Sequence, residues 1–301
     1  MKTSNSLSQP IEFLQTLVEN GGPKPSEYTK LNRVIDLMAD EFKAGNLSPI
    51  DLQIFQKSFG EECLEKTLHG HSLTRPYGYA GDFMIIDKIY REHITEDKRF
   101  EKWDIFWSSL AACNAVRNRK DYFIRTLTSR LLNNNQLQLL NVASGPARDL
   151  FELYAQIQPE QLLNTVCIEA DDRAIAYAKE LNKEHLNRIE FINKNIFRYR
   201  ADQQYDIVWS AGLFDYFNDD IFVKLLSRFV SWTKPGGEVI IGNFSTENPS
   251  RNLMELFGDW YLEHRSHDHL VNLAMQAGIQ RDAIYVGEEA EGVNLFLHIK
   301  V

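Results

Sequence analysis

The sequence predicts an α/β fold in two parts, a helical region followed by a mostly parallel sheet with helices on both faces. From residue 137 onward, short apolar runs alternate with stretches of helical periodicity, which is typical of parallel strands joined by helices. Residues 1–125 show apolar residues at helical spacing without that alternation. We therefore expect a helical cap over residues 1–125 and a Rossmann-like domain over residues 126–301.

The second part is expected to open on a strand, a glycine turn and a helix. Residues 137–142 are an apolar run typical of a buried strand, Ser144 and Gly145 form a turn, and Pro146 stands where a first helical residue would. This is the opening half of a nucleotide-binding βαβ unit. The turn suits a pyrophosphate poorly, because Pro146 lacks an N–H donor and Asp149 adds negative charge to the first helical turn. It suits a cationic ligand such as S-adenosylmethionine; the alternative is that Asp149 only complements the helix dipole.

Further apolar runs predict the rest of the sheet. Glu169 ends the second strand and lies 24 positions after Gly145, close to the spacing at which an acidic residue meets ribose hydroxyls in such folds. The predicted later strands are residues 165–169, 189–192, 205–210 and 238–243, with a closing hairpin formed by residues 282–286 and 294–301. In the first part, helical patterns occupy residues 10–21, 29–43 and 48–55 and a long stretch that ends near residues 133–135.

Five motifs in this order resemble those of the class I S-adenosylmethionine-dependent methyltransferases. They are VASGPARDL at the glycine loop, CIEADDRAIAYA at the ribose carboxylate, Asn195 where the family has an Asp or Asn near the adenine amine, YDIVWSAGLFDYF on the fourth strand, and KPGGEVIIGNF before the fifth. Ala143 stands where the common loop has its first glycine. The resemblance covers about residues 126–301 and implies a seven-stranded Rossmann-like methyltransferase fold with S-adenosyl-L-methionine as cofactor. We expect these residues to contact the cofactor: Ala143, Ser144, Gly145, Asp149, Glu169, Ala170, Asn195, Ile196, Ser210 and Gly212.

Charge and cysteine content narrow the function classes. The net charge is −9, and residues 126–301 hold 16 basic and 24 acidic side chains, which argues against a nucleic-acid substrate. The three cysteines are widely spaced and form no CxxC pair, which is typical of a protein in a reducing cytosol. This spacing also argues against a zinc site built on cysteines. No run reaches the ~18 apolar residues of a membrane span, and no apolar signal region follows residues 1–5. We expect a cytoplasmic protein without stable membrane insertion or a bound metal.

Two segments of the first part bear on the site. Residues 71–83 have no apolar period and are rich in glycine and tyrosine, which predicts a tightly turned loop. We expect it to fold over the cofactor or substrate, with Tyr79 and Asp82 at the cofactor; the alternative is a structural connection. The long helix that follows has a basic face, which is expected to be solvated: Arg117, Arg119, Lys120 and Arg125.

The combination of RPYGYAGDF, AVRNRKDYF, VASGPARDLFE, SAGLFDYF and NPSRNLMELFGDWYLEHR is similar to a narrower family. Its members are bacterial methyltransferases that make the extracellular factor 3-hydroxypalmitic acid methyl ester. This resemblance covers most of the chain and implies that a carboxylate is methylated to an ester. The acceptor favoured by resemblance is therefore a hydroxy fatty acid. The alternatives are an O- or N-acceptor on another metabolite, or a protein that binds S-adenosylmethionine or S-adenosylhomocysteine without catalysis.

Three residues are predicted to act in catalysis. Asp215 and Tyr216 follow the fourth strand, where a nucleophile must meet the methyl group. Asp215 could be a general base, a substrate ligand or the cap of the next helix. Arg251 begins a predicted helix, capped by Ser250, that runs through Leu262.

Two alternatives remain for that last helix. Its charged residues at spacing of four could form a surface ladder: Arg251, Glu255, Asp259 and Glu263. Otherwise the helix lines an acceptor pocket with these side chains: Arg251, Trp260, Tyr261 and Arg265. Nearby histidines lack the i,i+4 spacing of a helical metal site.

Overall fold

The structure is a computed structural model that describes residues 5–301, with side chains from Ser8 onward. Residues 1–4, on which the expectation about a signal region partly depends, lie outside the described residues. By their internal contacts, the described residues form two compact units. Unit 1 comprises the residues up to Asn114 together with Pro249–Tyr261, and unit 2 comprises Ala115–Asn248 and Leu262–Val301. The division drawn from the sequence between residues 125 and 126 stays a prediction.

Unit 2 contains a seven-stranded sheet with the strand order β3-β2-β1-β4-β5-β7-β6. The first five strands in chain order are parallel, and β7 runs antiparallel to both β5 and β6. This confirms the predicted mostly parallel Rossmann-like sheet. The strands are β1 Gln136–Val142, β2 Leu162–Glu169, β3 Ile189–Asn193, β4 Tyr205–Ser210, β5 Thr233–Phe244, β6 Ile284–Glu288 and β7 Asn294–Lys300.

Alternation along the strands directs side chains to two apolar layers, one on each face of the sheet. Leu140 and Val208 join the helices after β4 and β5 on one face, whereas Leu139 and Trp209 join the helices before and after β1 on the other. Helices therefore cover both faces, as predicted. The helices of the whole described chain are α1 Asn5–Glu19, α2 Tyr28–Lys43, α3 Pro49–Lys57, α4 Glu61–Lys66, α5 Leu68–Thr74, α6 Phe83–Tyr90, α7 Glu101–Ser108, α8 Ala111–Asn133, α9 Arg148–Tyr154, α10 Asp172–Leu181, α11 Asp219–Ser231, α12 Arg251–Gly258 and α13 His267–Gln276.

Unit 1 is helical, and α12 is part of it although it follows β5 in the chain. Phe257 of α12 packs with Phe59 at a ring-centroid distance of 4.9 Å, and Phe59 also packs on Trp103 at 5.1 Å. The side chain of Asn252 donates to Asp36 on α2 at 2.9 Å. In the described part of the chain, no helix combines the length and the apolar content that a membrane span requires.

Three local predictions were wrong. The loop expected over residues 71–83 begins inside a helix, because α5 continues to Thr74 and ends at Arg75 with a left-handed φ of 47°. Helix α9 begins at Arg148, so Pro146 lies before the helix and not at its first position. Helix α12 stops at Gly258, because Asp259 adopts a left-handed φ of 46° that reverses the chain.

Candidate active site

The strand order changes direction between β1 and β4, which opens a crevice at the carboxyl ends of these two strands. Both ends are tied together, because the hydroxyl of Ser210 donates to the carbonyl of Val142 at 3.0 Å. The backbone N–H of Ala143 donates to Ile168 on β2 at 2.8 Å. The predicted cofactor residues that follow β1, β2 and β4 thus lie at one edge of one sheet.

The loop after β1 has an unusual backbone. Ala143, Gly145 and Ala147 all have positive φ, at 54°, 52° and 50°. An alanine in this conformation costs roughly 1–2 kcal/mol, so the loop stores strain at the mouth of the crevice. Apart from Gly145 itself and its two chain neighbours, no described residue has a heavy atom within 4 Å of the point where a Cβ on Gly145 would stand, so this side of the loop is open.

Glu169 at the end of β2 is held rigidly against this loop. One carboxylate oxygen accepts from the N–H of Gly145 at 2.9 Å, and the other accepts from Ala170 at 2.7 Å and Asp171 at 3.0 Å. A carboxylate can accept about four hydrogen bonds, so one acceptor position is left for a ligand hydroxyl. The structure therefore brings Gly145 and Glu169 together, as a ribose-binding site requires.

Arg119 is a residue that sequence reasoning misplaced. It was expected on a solvated face of α8, but it is 5% exposed. Its Nη1 atom donates to the carbonyl of Ala211 at 3.3 Å, just after β4. A Cβ on Gly212 would stand 2.9 Å from the same atom, so the glycine makes room for the guanidinium. Arg119 and Gly212 are 93 positions apart in the sequence. The helical periodicity around Arg119 therefore could not predict that the two residues lie together.

Asp149, in the first turn of α9, is close enough to this arginine to feel its charge. Burial raises the pKa of Asp149 to about 6, and Arg119 acts in the opposite direction. The side chain is 8% exposed and accepts from the N–H of Leu150 at 2.9 Å. A buried carboxyl beside a buried guanidinium can hold a ligand that carries charges of both signs.

Asp215 is more enclosed than the sequence suggests. It is 2% exposed, and its Oδ1 atom accepts from the N–H of Phe244 at 2.6 Å. Burial raises its pKa to about 6, against the influence of Arg119 and Arg265. The interpretation of Asp215 as a helix cap is wrong, because Asn218 caps α11 by accepting from Ile221. Tyr216, next in the chain, is 42% exposed.

The interpretation of Arg265 as part of an acceptor pocket is wrong. Arg265 is 1% exposed, and its Nε atom donates to Asp219 at 3.0 Å. Its Nη1 atom donates to the side chain of Asn243 at 2.8 Å and to the carbonyl of Phe214 at 3.2 Å. Arg265 therefore braces the segment after β4 that carries Asp215.

The predicted charge ladder on α12 is reduced to one pair in unit 1. Arg251 donates to Glu255 at 2.7 Å, whereas Asp259 lies beyond the helix and pairs with Arg75 at 2.6 Å. The side chain of Ser250 makes no cap and instead accepts from the N–H of Ala112 at 3.2 Å.

The remaining predicted residues occupy several settings. Asn195 is exposed after β3, and its side chain accepts from the N–H of Phe197 at 2.9 Å above the buried Ile196. In unit 1, Tyr79 is 37% exposed, whereas Asp82 is 1% exposed and caps α6. The roles assigned to these residues stay predictions.

Comparison with known proteins identifies the central segment of unit 2. Residues 139–237 match the family model described as Methyltransferase domain. The chain carries an S-adenosylmethionine-dependent methyltransferase domain. This match covers the crevice at β1 and β4 and the residues of β2 and β3 beside it.

Relatives of the methyltransferase domain are distant. Phosphoethanolamine N-methyltransferase 1 of Triticum aestivum is 31% identical over 81 residues, which cover 26% of this chain and only 16% of the wheat protein. A structure described as a possible exported protein from Bordetella parapertussis has a TM-score of 0.61 at 14% identity and covers 99% of this chain and 96% of its own. Magnesium protoporphyrin IX methyltransferase from Synechocystis PCC 6803, with bound S-adenosylhomocysteine, has a TM-score of 0.50 at 11% identity and covers 63% and 87%. At these identities the two structures support the fold.

The chemistry of the crevice in the methyltransferase domain fits S-adenosylmethionine. Glu169 offers a fixed acceptor for ribose hydroxyls, and the loop beside it is open at Gly145. Asp149 and Arg119 offer a carboxyl for an ammonium and a guanidinium for a carboxylate. Because Glu169 already occupies the N–H of Gly145, the loop favours a ligand without phosphate.

Proposed function

We propose that the protein transfers a methyl group from S-adenosylmethionine to the carboxylate of a small molecule. The observation that carries this proposal is the state of Asp215, the candidate base after β4. Only 2% of its side chain is exposed, so a hydroxyl or amine of an acceptor cannot reach it, and its Oδ1 atom accepts from the N–H of Phe244. A hydroxyl or amine acceptor needs a base near it, whereas a carboxylate is already ionised.

The reaction then requires positioning and the exclusion of water rather than proton transfer. S-adenosylmethionine supplies a methyl group on a sulfonium, and attack by the carboxylate oxygen breaks the carbon–sulfur bond to give a methyl ester and S-adenosylhomocysteine. Glu169 is proposed to fix the ribose and Asn195 to meet the adenine amine. Asp149 and Arg119 are proposed to hold the amino and carboxyl groups of the methionine part. Together these contacts would orient the methyl group toward the end of β4.

Tyr216 is proposed to contact the acceptor beyond the end of β4, and the assignment of Arg251 to the acceptor stays a prediction. The hydroxyl of Tyr216 belongs to a side chain that is 42% exposed, so a ligand can reach it. Arg251 is exposed and its guanidinium keeps donors beyond the bond to Glu255. The narrower resemblance favours a hydroxy fatty acid as the acceptor.

Methyl transfer from radiolabelled S-adenosylmethionine to a panel of carboxylic acids, alcohols and amines tests the proposal. A carboxylate product is an ester, so mild alkali should release the label as volatile methanol. A product that is stable to alkali would be a methyl ether or a methylated amine. It would show that the acceptor is a hydroxyl or an amine and would contradict the carboxylate assignment. Micromolar binding of S-adenosylhomocysteine without turnover of any compound would favour a binding protein.

A further inference from the structure

A second polar cluster lies in unit 1, within the segment from α5 to α6. Asp82 caps α6 by accepting from the N–H groups of Met84 at 2.9 Å and Ile85 at 3.0 Å. The same carboxylate lies 2.9 and 3.0 Å from Nε2 of His71 on α5. His71 and Asp82 are 8% and 1% exposed, so this contact is shielded from water. Asp82 therefore holds the imidazole of His71 in one orientation.

The other ring nitrogen of His71 meets Lys88 on α6. An ionised carboxylate only accepts hydrogen bonds, so Nε2 of His71 carries a proton and donates to Asp82. In neutral His71 the Nδ1 atom then presents a lone pair. The ammonium of Lys88 lies 3.3 Å from Nδ1 and donates to it. Asp82, His71 and Lys88 thus form one chain of hydrogen bonds.

This order of carboxylate, imidazole and amine is that of an activated nucleophile. The imidazole can take a proton from Lys88, and Asp82 then stabilises the imidazolium that results. The amine that remains on Lys88 has a free electron pair and can attack an electrophile. Burial acts in the same direction, because it lowers the pKa of Lys88. Lys88 is partly exposed, so a small molecule can reach it.

The charged groups around Lys88 favour a product that keeps a positive charge. Asp104 on α7 and Asp82 before α6 raise the pKa of Lys88, whereas Arg91 at the end of α6 lowers it. His93, after α6, is close enough to feel the charge of Lys88. A protonated imine keeps the positive charge on the nitrogen, whereas an amide loses it. The two carboxylates therefore favour reaction with an aldehyde or ketone over acylation.

We propose that Lys88, with His71 as its base, is the nucleophile of a second reactive site that condenses with an aldehyde or ketone to form an imine. Asp82 orients His71 and stabilises its charged form. All three residues belong to unit 1. The site is a further activity of the chain, and the argument for it uses no residue of the methyl-transfer crevice.

The reaction balances without an oxidant or a reductant. The Nζ atom of Lys88 attacks the carbonyl carbon, so a carbon–nitrogen bond forms while the π electrons move to the oxygen. Two of the three protons of the ammonium pass through His71 to this oxygen, which leaves as water. The electron pair of the nitrogen then completes the carbon–nitrogen double bond. The third proton stays on the nitrogen of the protonated imine.

Reductive labelling of the full chain with benzaldehyde and sodium cyanoborohydride tests this site. The reductant converts an imine to a stable benzyl group on the lysine, which mass spectrometry of peptides locates. Near about pH 7, Lys88 should be labelled at least about tenfold faster than Lys57, an exposed lysine at the end of α3 that serves as the control within the same molecule. The rate at Lys88 should level off at a lower pH than that of acetyllysine amide in solution, because the pKa of Lys88 is lowered.

A variant of His71 separates activation from simple exposure. His71→Gln keeps an amide that donates to Asp82 but takes no proton from Lys88. The labelling rate of Lys88 should therefore fall to about that of Lys57, whose own rate should not change.

Two results would overturn the inference. Labelling of Lys88 no faster than that of Lys57 in the unmodified protein would do so without any variant, even if His71→Gln failed to fold. An unchanged rate at Lys88 in folded His71→Gln would also do so, because His71 would then not be the base. Neither measurement involves S-adenosylmethionine, so either result leaves the proposed methyl transfer standing.

Discussion

Burial decides what the charged side chains at the crevice can do. Asp215 is attractive as a base in the sequence, yet the structure leaves only 2% of it exposed and places its Oδ1 atom at the N–H of Phe244. Arg119 resembles an ordinary surface arginine in the sequence, yet it is enclosed beside Ala211 and Gly212. In both cases the decisive partner lies on a distant segment, and a helical pattern cannot show it.

The raised pKa of Asp215 should make the free energy of unfolding depend on pH, and this dependence should disappear when Asp215 is replaced. Burial raises this pKa from 3.8 to about 6, so the folded state holds the proton more tightly than the unfolded chain. The resulting stability is complete below pH 3.8 and is lost as the pH rises through about 6. Asp215→Asn cannot ionise and keeps an acceptor for Phe244. Its free energy of unfolding relative to the unmodified protein should therefore rise by about 2–3 kcal/mol between pH 4 and pH 6.

Urea denaturation at a series of pH values measures this difference. Asp51→Asn is a control for which the relative free energy of unfolding should change with pH in the opposite direction, because hydrogen bonds from Ser48 lower the pKa of Asp51. Its relative stability should fall as the pH rises through the acidic range. A flat difference for Asp215→Asn would show that the carboxyl is hydrated and not buried.

Glu169→Ala should weaken the binding of S-adenosylhomocysteine at least about tenfold, because it removes both the proposed ribose acceptor and the partner of three backbone N–H groups. Glu169→Gln should lose less, since one oxygen still accepts. Calorimetry of the two variants separates these effects. Affinity that Glu169→Ala leaves unchanged would refute the ribose assignment.

At the scale of elements, the sheet was predictable and the ends of elements were less so. The strand Tyr205–Ser210 was predicted with its observed bounds, because its centre, residues 207–209, is an apolar run typical of a buried parallel strand. Helix α12 was predicted too long, because an apolar pattern continues through Trp260 although Asp259 turns left-handed. Helix ends depend on local backbone geometry, which binary patterning does not encode.

The glycine loop offers a test of its strain. Ala143 has a φ of 54° and is partly exposed, so Ala143→Gly should relieve the left-handed conformation with little loss of packing. We expect a gain of about 1 kcal/mol in the free energy of unfolding.

Ala155→Gly is the matched control for the loop, because Ala155 follows α9 with a φ of −70°. It should lose about 0.5–1 kcal/mol through backbone entropy alone. Urea denaturation of both variants distinguishes the two cases. Similar losses in both would contradict the proposed strain at Ala143.

At the scale of the whole molecule, the net charge of the protein should favour the association of S-adenosylmethionine and oppose the association of the proposed acceptor. The chain carries a net charge of −9, which attracts a cationic cofactor and would repel the proposed carboxylate acceptor at long range. Raising the ionic strength from about 10 mM to about 150 mM should raise kcat/KM for the acceptor and lower the association rate of S-adenosylmethionine. Stopped-flow binding and steady-state kinetics measure the two effects. A shift of both in the same direction would contradict an anionic acceptor.

The assignment of residues 249–261 to unit 1 has a consequence for biosynthesis. This segment follows β5, yet its side chains bond to α2, as Asn252 does with Asp36 and Lys43. The ribosome synthesises the chain from the amino end. Helices α1 to α7 therefore emerge long before residues 249–261, which complete their packing. Until residue 261 has left the exit tunnel, the surface of Phe59 that Phe257 covers stays exposed to chaperones and proteases. Unit 1 is therefore finished late during translation, although it is mostly encoded first.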